Sequence, residues 1–192
     1  MKPVFAAAAL SLAATLTATP SAWAADTYEI EPTHTFARFS INHLGLSTTQ
    51  GRFDTTRGTI TLDPAKKTGS VEATIDVASI STGVAKLDEH LKAPDFFDAA
   101  KYPTIVFKST DFRFKGEAVD EVVGTLTMHG VSKPVTLKAS HFVCTAHPMR
   151  KIPVCAGDFS ATIQRSDWGI STYSPHVGES VTLSIQVEAL KK

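Results

Sequence analysis

The chain has 192 residues, 43% of them hydrophobic and 20% charged. That balance suits one compact domain and is too apolar for a disordered chain. Nineteen basic side chains face nineteen acidic ones, so nothing in the net charge favours nucleic acid, and the scattered Pro and Gly exclude a collagen-like or low-complexity chain.

The chain opens with Met1-Lys2, an Ala/Leu-rich run from Val4 to about Thr19, the breaker Pro20 and the small-residue site Ala22-Trp23-Ala24. This is the layout of a secretory signal peptide cleaved after Ala24. Pro20 argues against a membrane anchor, and the run is barely long enough to span a bilayer. Residues 25–192 are then expected as one soluble, exported domain, periplasmic in a cell with two membranes.

From residue 37 onward the hydrophobic pattern has period two, the signature of strands with one buried face. Ala37, Phe39, Ile41 and His43 share a face, as do Gly58, Ile60 and Leu62, and Val71, Ala73, Ile75 and Val77. A helical spacing interrupts the pattern at Val84, Leu87, His90 and Leu91, and Pro94 ends it. An irregular stretch, Asp95-Phe96-Phe97-Asp98, follows. Alternation then resumes at Ile105, Phe107 and Ser109; at Gly124, Leu126 and Met128; at Val135, Leu137 and Ala139; at Phe159, Ala161, Ile163 and Arg165; and at Val181, Leu183, Ile185 and Val187. Turn residues separate the runs at Asp63-Pro64 through Gly69, Lys115-Gly116, His129-Gly130 and Pro175 through Gly178.

About eight short one-sided strands predict an all-β domain, an antiparallel sheet that closes into a barrel or folds into a sandwich, with one short helix as a plug or lid. The apolar face either fills a core or lines a cavity for one elongated ligand. Gly51, Gly58 and Gly124 interrupt that face where filling side chains belong, and mark bends or empty space.

Cys144 and Cys155 are the only cysteines. In an exported chain they are expected to form a disulfide, closing a loop of about 12 residues for roughly 3 kcal/mol. Seven histidines are spread along the chain without H-E-x-x-H or Cys/His spacing, so no metal site is expected. No C-x-x-C-H supports haem attachment, no G-x-S-x-G supports a serine nucleophile, and no P-loop or dinucleotide fingerprint is present.

Five blocks go beyond pattern. They are Thr33-His34-Thr35-Phe36-Ala37-Arg38-Phe39-Ser40-Ile41-Asn42-His43-Leu44-Gly45 with Gly51-Arg52-Phe53; Asp88-Glu89-His90-Leu91 with Asp95-Phe96-Phe97-Asp98; Tyr102-Pro103-Thr104-Ile105-Val106-Phe107-Lys108-Ser109; Gly124-Thr125-Leu126-Thr127-Met128-His129-Gly130-Val131-Ser132-Lys133-Pro134-Val135; and Arg165-Ser166-Asp167-Trp168-Gly169-Ile170. In this order and spacing the chain, from about Tyr28 to Leu190, resembles the YceI-like family of secreted lipid-binding proteins. The resemblance implies a lipocalin-like antiparallel β-barrel with an elongated inner pocket. It also implies binding of a polyisoprenoid or another long amphiphile in the periplasm, and no catalysis. The segment from Thr145 to Pro153 departs from the family's pattern.

A long tail needs an apolar tunnel and a few polar groups. The candidate wall residues are Phe39, Ile41, Phe53, Ile60, Ile75, Phe107, Leu126, Met128 and Ile163. Leu91, Phe96, Phe97, Tyr102 and Trp168 are candidates for the mouth. His43 and Arg165 are the candidate head-group contacts, since an Arg fork suits phosphate. The competing and favoured reading for Arg165 is an ion pair with Asp88 or Asp167. The expected function is a carrier or buffer for a polyisoprenoid or isoprenoid quinone, without a cofactor, exchanging lipid with a membrane-protein donor or acceptor. The alternatives are an enzyme acting on such a lipid, or a redox partner handling quinone or haem.

Overall fold

A sheet with one dry face must fold back on itself or on another layer to cover that face. In the computed structural model, which describes residues 25–192, the sheet closes into a ring. The expected signal peptide lies outside the described residues. The strands are β1 (Asp26–Ile30), β2 (Phe36–His43), β3 (Ser47–Phe53), β4 (Thr56–Asp63), β5 (Thr68–Asp76), β6 (Ile80–Ser81), β7 (Thr104–Lys115), β8 (Ala118–Met128), β9 (Val131–Ala146), β10 (Pro153–Gln164) and β11 (Val177–Lys191). The helix α1 spans Ala85–Lys92.

These segments make eight staves in sequence order. Both β1 and β2 lie along β11, β4 pairs with β1 while β3 pairs with β2, and β5 pairs with β4 while β6 pairs with β3. Each of the first three staves is therefore one strand broken once. With β7 through β11 they form a closed, antiparallel, up-and-down barrel, one of the two architectures the alternation left open and the one the family resemblance implies. The apolar faces of the staves point inward and form one continuous core.

The breaks matter for what faces the lumen. On the second stave, Phe53 of β3 and Thr56, Ile60 and Leu62 of β4 border the interior. The inward phase thus runs through odd numbers before Asp54 and even numbers after Thr55. The third stave shifts phase the same way across a 3-10 turn at Val77–Ser79, where the Asp76 carboxylate accepts the Ala78 N–H and Ser79 Oγ donates to the Asp76 carbonyl. On β7 a bulge lies between Lys108 and Asp111. The buried Ser109 hydroxyl occupies it, donating to the Val123 carbonyl and accepting the Asp111 N–H.

The glycines on the inward face do not leave gaps. A side chain at Gly51 would collide with the Phe39 ring directly opposite it, and one at Gly124 with the Phe107 ring. Each ring lies across a glycine and fills the space that residue leaves, as aromatic neighbours commonly do for strand glycines. The empty-space reading of these positions is therefore corrected. Cys144 and Cys155 stand opposite one another on β9 and β10 and are joined by a disulfide. The bridge staples the long hairpin that carries the divergent Thr145–Pro153 segment.

Helix α1 sits between β6 and β7. Asp88 accepts hydrogen bonds from Thr82 N at 2.7 Å and Thr82 Oγ1 at 2.6 Å, which hold the incoming loop against the first turn. The helix ends just before Pro94, which has no N–H to continue the ladder. A tight turn then brings Phe97 N to the Leu91 carbonyl.

Candidate functional site

The barrel encloses a cavity of about 250 Å³. All eight staves contribute to its wall, and nearly every contributing side chain is hydrocarbon: Ala37, Phe39 and Ile41; Phe53, Ile60 and Leu62; Val71, Ala73 and Ile75; Ile105, Phe107 and Phe112; Val122, Leu126 and Met128; Val135, Leu137 and Phe142; Phe159 and Ile163; and Val181, Leu183, Ile185 and Val187. One end is roofed by Leu91 of α1 and by Phe96 and Phe97 of the following turn. Phe97 meets Phe53 edge-on at 5.5 Å, and Phe53 in turn lies 5.9 Å from Phe39. The roof is tied to the β10–β11 loop by Thr172 Oγ1, which donates to the Asp95 carbonyl at 2.7 Å. Phe96 and His90 pack against Tyr173 of the same loop.

The structure gathers Phe39, Ile41, Phe53, Ile60, Ile75, Phe107, Leu126, Met128, Ile163, Leu91, Phe96, Phe97 and Arg165 around this one chamber. Three of the sequence candidates lie elsewhere. His43 is exposed at the end of β2, past the point where the β2–β11 ladder slips between Val177 and Val181, so the inward alternation does not reach it. Tyr102 lies outside the lining, its ring edge-on to His129 at 4.8 Å. Trp168 is buried within a 3-10 turn, Arg165–Trp168, but does not border the chamber. Its Nε1 donates to the Leu126 carbonyl at 3.2 Å, and its own carbonyl accepts from His129 Nδ1 at 3.0 Å. Both Tyr102 and Trp168 thus brace the β8–β9 turn from outside.

Arg165 is buried, with 5% of its surface exposed. Its partners are not Asp88 or Asp167. Nε donates to the Gly178 carbonyl at 2.8 Å, one terminal nitrogen to the Ile170 carbonyl at 3.1 Å, and the other to the Val177 carbonyl at 3.0 Å. The nearest carboxylate is Glu179, 3.9 Å away. Asp88 is occupied by Thr82. The ion-pair expectation is therefore corrected: Arg165 clamps the two limbs of the β10–β11 loop through backbone oxygens, a role that spacing along the chain does not reveal. Hydrogen bonds from Ser174 and Ser166, with a smaller contribution from Arg165, hold the Glu179 carboxyl below its ordinary pKa, against the opposing effect of burial.

The remaining polar groups of the chamber are few. Arg38 alternates with the inward residues of β2. Its guanidinium donates to Gln186 at 2.8 Å and lies over the Phe36 ring. The Thr35 hydroxyl donates to the Glu188 carbonyl at 3.2 Å and accepts the Glu188 N–H at 3.1 Å. Thr56, 5% exposed, also borders the chamber, and sequence reasoning missed it. Its Oγ1 is the one buried side-chain polar atom among the described residues with no hydrogen-bond partner. Among the described residues no helix is long and apolar enough to cross a membrane.

Comparison with known proteins agrees with this geometry. Residues 28–189 match the family described as YceI-like domain. A UPF0312 protein of Pseudomonas aeruginosa is 36% identical over 189 residues, covering 96% of this chain and 97% of its own length. The YceI protein of Campylobacter jejuni, known as a crystal structure, is 30% identical, with a TM-score of 0.67 over 79% of this chain and 90% of that one. A domain from Saccharophagus degradans described as polyisoprenoid binding shares the fold at 15% identity, with a TM-score of 0.65 over 86% of this chain and 98% of that one. Family match, sequence identity and barrel architecture coincide along the described chain, and the protein belongs to the YceI-like family.

Proposed function

We propose that this protein is an exported binding or carrier protein for a long-chain amphiphile, a polyisoprenoid or isoprenoid quinone, held in the barrel without catalysis and without a cofactor. The observation that carries the reading is the chamber inside the closed ring of strands, with a hydrocarbon wall drawn from all eight staves. Each methylene that enters such a wall from water contributes about 0.8 kcal/mol, so a tail of many carbons is held by burial alone. The polyisoprenoid-binding description of the Saccharophagus degradans domain supports the same ligand class. An internal disulfide fits an exported, periplasmic chain, since such bonds persist in oxidising compartments. Delivery to and from a membrane-protein donor or acceptor is the natural use of a chamber that hides a water-insoluble tail.

The test is native mass spectrometry of the periplasm-purified protein, followed by organic extraction. A stoichiometric adduct that extracts as a prenyl or acyl lipid supports the proposal. Uptake of added polyprenyl lipid guards against a ligand lost in purification, and Ala73→Phe, which places a ring in the chamber, is expected to abolish that uptake. If the wild-type protein carries no adduct and takes up neither polyprenyl nor fatty-acyl lipids, the reading fails.

A further inference from the structure

We propose that the tip of the β9–β10 hairpin is a membrane-docking element that seats on a bilayer rich in anionic phospholipid. This goes beyond the carrier reading and stands without it. The argument begins with the length of the hairpin. The β8–β9 register ends at Glu121 opposite Lys138, yet β9 runs on to Ala146. From Ala139 onward β9 pairs with β10 alone, so β8 no longer flanks it. The Cys144–Cys155 disulfide pins this ribbon. The tip is fixed as well: His147 Nδ1 accepts the Met149 and Arg150 N–H groups at 3.2 and 3.1 Å, and the His147 N–H donates to the Ile152 carbonyl at 2.7 Å. What this scaffold holds out is Met149, 86% exposed, the most exposed large hydrophobic side chain among the described residues, with Ile152 at 37%.

Charge selects the partner. From Val122 to Gly157 the chain contains no Asp or Glu, against Lys133, Lys138, Arg150 and Lys151. Arg150 and Lys151 flank the exposed Met149 and Ile152, lie in solvent themselves, and have no ion-pair partner among the described residues. In an up-and-down barrel the β4–β5, β7–β8 and β9–β10 turns share one end, and the chain terminus at β11 joins them. There Asp63, Asp26 and Glu29 are each neutralised by a lysine, Lys66, Lys191 and Lys192. The exposed Lys67 and Lys115 face only Glu117 among the turn residues, so this end carries an excess of positive charge. An apolar tip between free cations suits a lipid surface: the side chain enters the acyl boundary while the cations meet the head-group phosphates. An acidic protein would meet the cations but would give Met149 nothing to enter, and the experiment separates the two.

The experiment is co-sedimentation of the periplasm-purified protein with two vesicle preparations, pure phosphatidylcholine and an equal mixture of phosphatidylglycerol and phosphatidylcholine. The protein should partition onto the mixed vesicles and not onto the neutral ones. Arg150→Gln combined with Lys151→Gln should weaken that partitioning about thirtyfold, the value of two basic side chains at an anionic surface. Met149→Ser, which leaves the charge intact, should weaken it roughly fivefold through lost apolar burial. These side chains are exposed, so the urea midpoints of the variants should match the wild type and exclude misfolding as the cause. The proposal is overturned if the wild type does not bind the mixed vesicles or binds the neutral ones as well, or if the double variant binds like the wild type. It is also overturned if Met149→Ser has no effect, which would leave a purely electrostatic contact of the kind an acidic protein makes. None of these outcomes bears on lipid uptake by the chamber, so the carrier reading is tested separately.

Discussion

Arg165 offers the sharpest test of how the roofed end of the barrel is held. Replacing it by Met preserves the bulk of the stem and removes every donor. Three backbone carbonyls, of Ile170, Val177 and Gly178, then lose their partners inside the protein. An unsatisfied buried acceptor costs about 1–3 kcal/mol. At the lower end of that range, as suits a loop able to relax toward water, three of them give a loss of about 3 kcal/mol. Glu179 adds little to this sum: its side chain is 32% exposed and 3.9 Å away, and pairs so placed are largely screened. The assay is equilibrium urea unfolding. With a slope of about 2 kcal/mol per molar, usual for a small domain, the midpoint should fall by about 1.5 M at unchanged slope. Arg165→Lys should fall between, since an ammonium keeps the charge but not the planar fork. A loss below about 1 kcal/mol for Arg165→Met would refute the carbonyl clamp. So would an equal loss in Glu179→Gln, which would assign the stability to the ion pair instead.

Two further outcomes follow from the same loop and from the hairpin opposite. Because the folded-state pKa of Glu179 lies below its ordinary value of 4.5, its contribution is present above that value and disappears as the pH falls through the lowered one. Thermal melting of wild type and Glu179→Gln should therefore differ near neutrality and converge in acid, and a gap that widens in acid would contradict the assignment. Reduction of Cys144–Cys155 should lower stability by roughly 3 kcal/mol in the chain-entropy model and leave the barrel's far-ultraviolet circular dichroism intact. Collapse of the β signal on reduction would show that the staple is required for the ring.

The alternation of Phe39 and Ile41, of Ile105 and Phe107, or of Leu183 and Ile185 was legible because a barrel stave has one dry face along its whole length, and period two records that directly. The wall of the chamber could accordingly be written down from such runs. What defeated the pattern was local. Thr56 was invisible because the second stave breaks at Asp54 and Thr55, and a one-residue change of phase exchanges inside for outside. His43 failed for the related reason that an unbroken alternation was carried past the ladder's slip beyond Ile41. Arg165 was placed at the chamber correctly, but its partners are carbonyls, which carry no side-chain identity and leave no mark in a sequence. Gly51 and Gly124 looked like vacancies because the rings that cover them, Phe39 and Phe107, belong to neighbouring staves.

The pairing of β1 with β11 joins Tyr28 to Lys191 and Ile30 to Ala189, so the two ends of the domain meet in one ladder. Such a contact spans almost the whole chain, and long-range contacts of this kind are slow to form because the loop between them must be closed first. Until the last 15-residue strand has emerged, every earlier strand can pair only into an open, curved sheet whose hydrocarbon face is bare. The barrel thus has no finished interior until β11 has been made. A truncation that removes β11 should yield not a smaller barrel but an aggregating sheet with two unpaired edges.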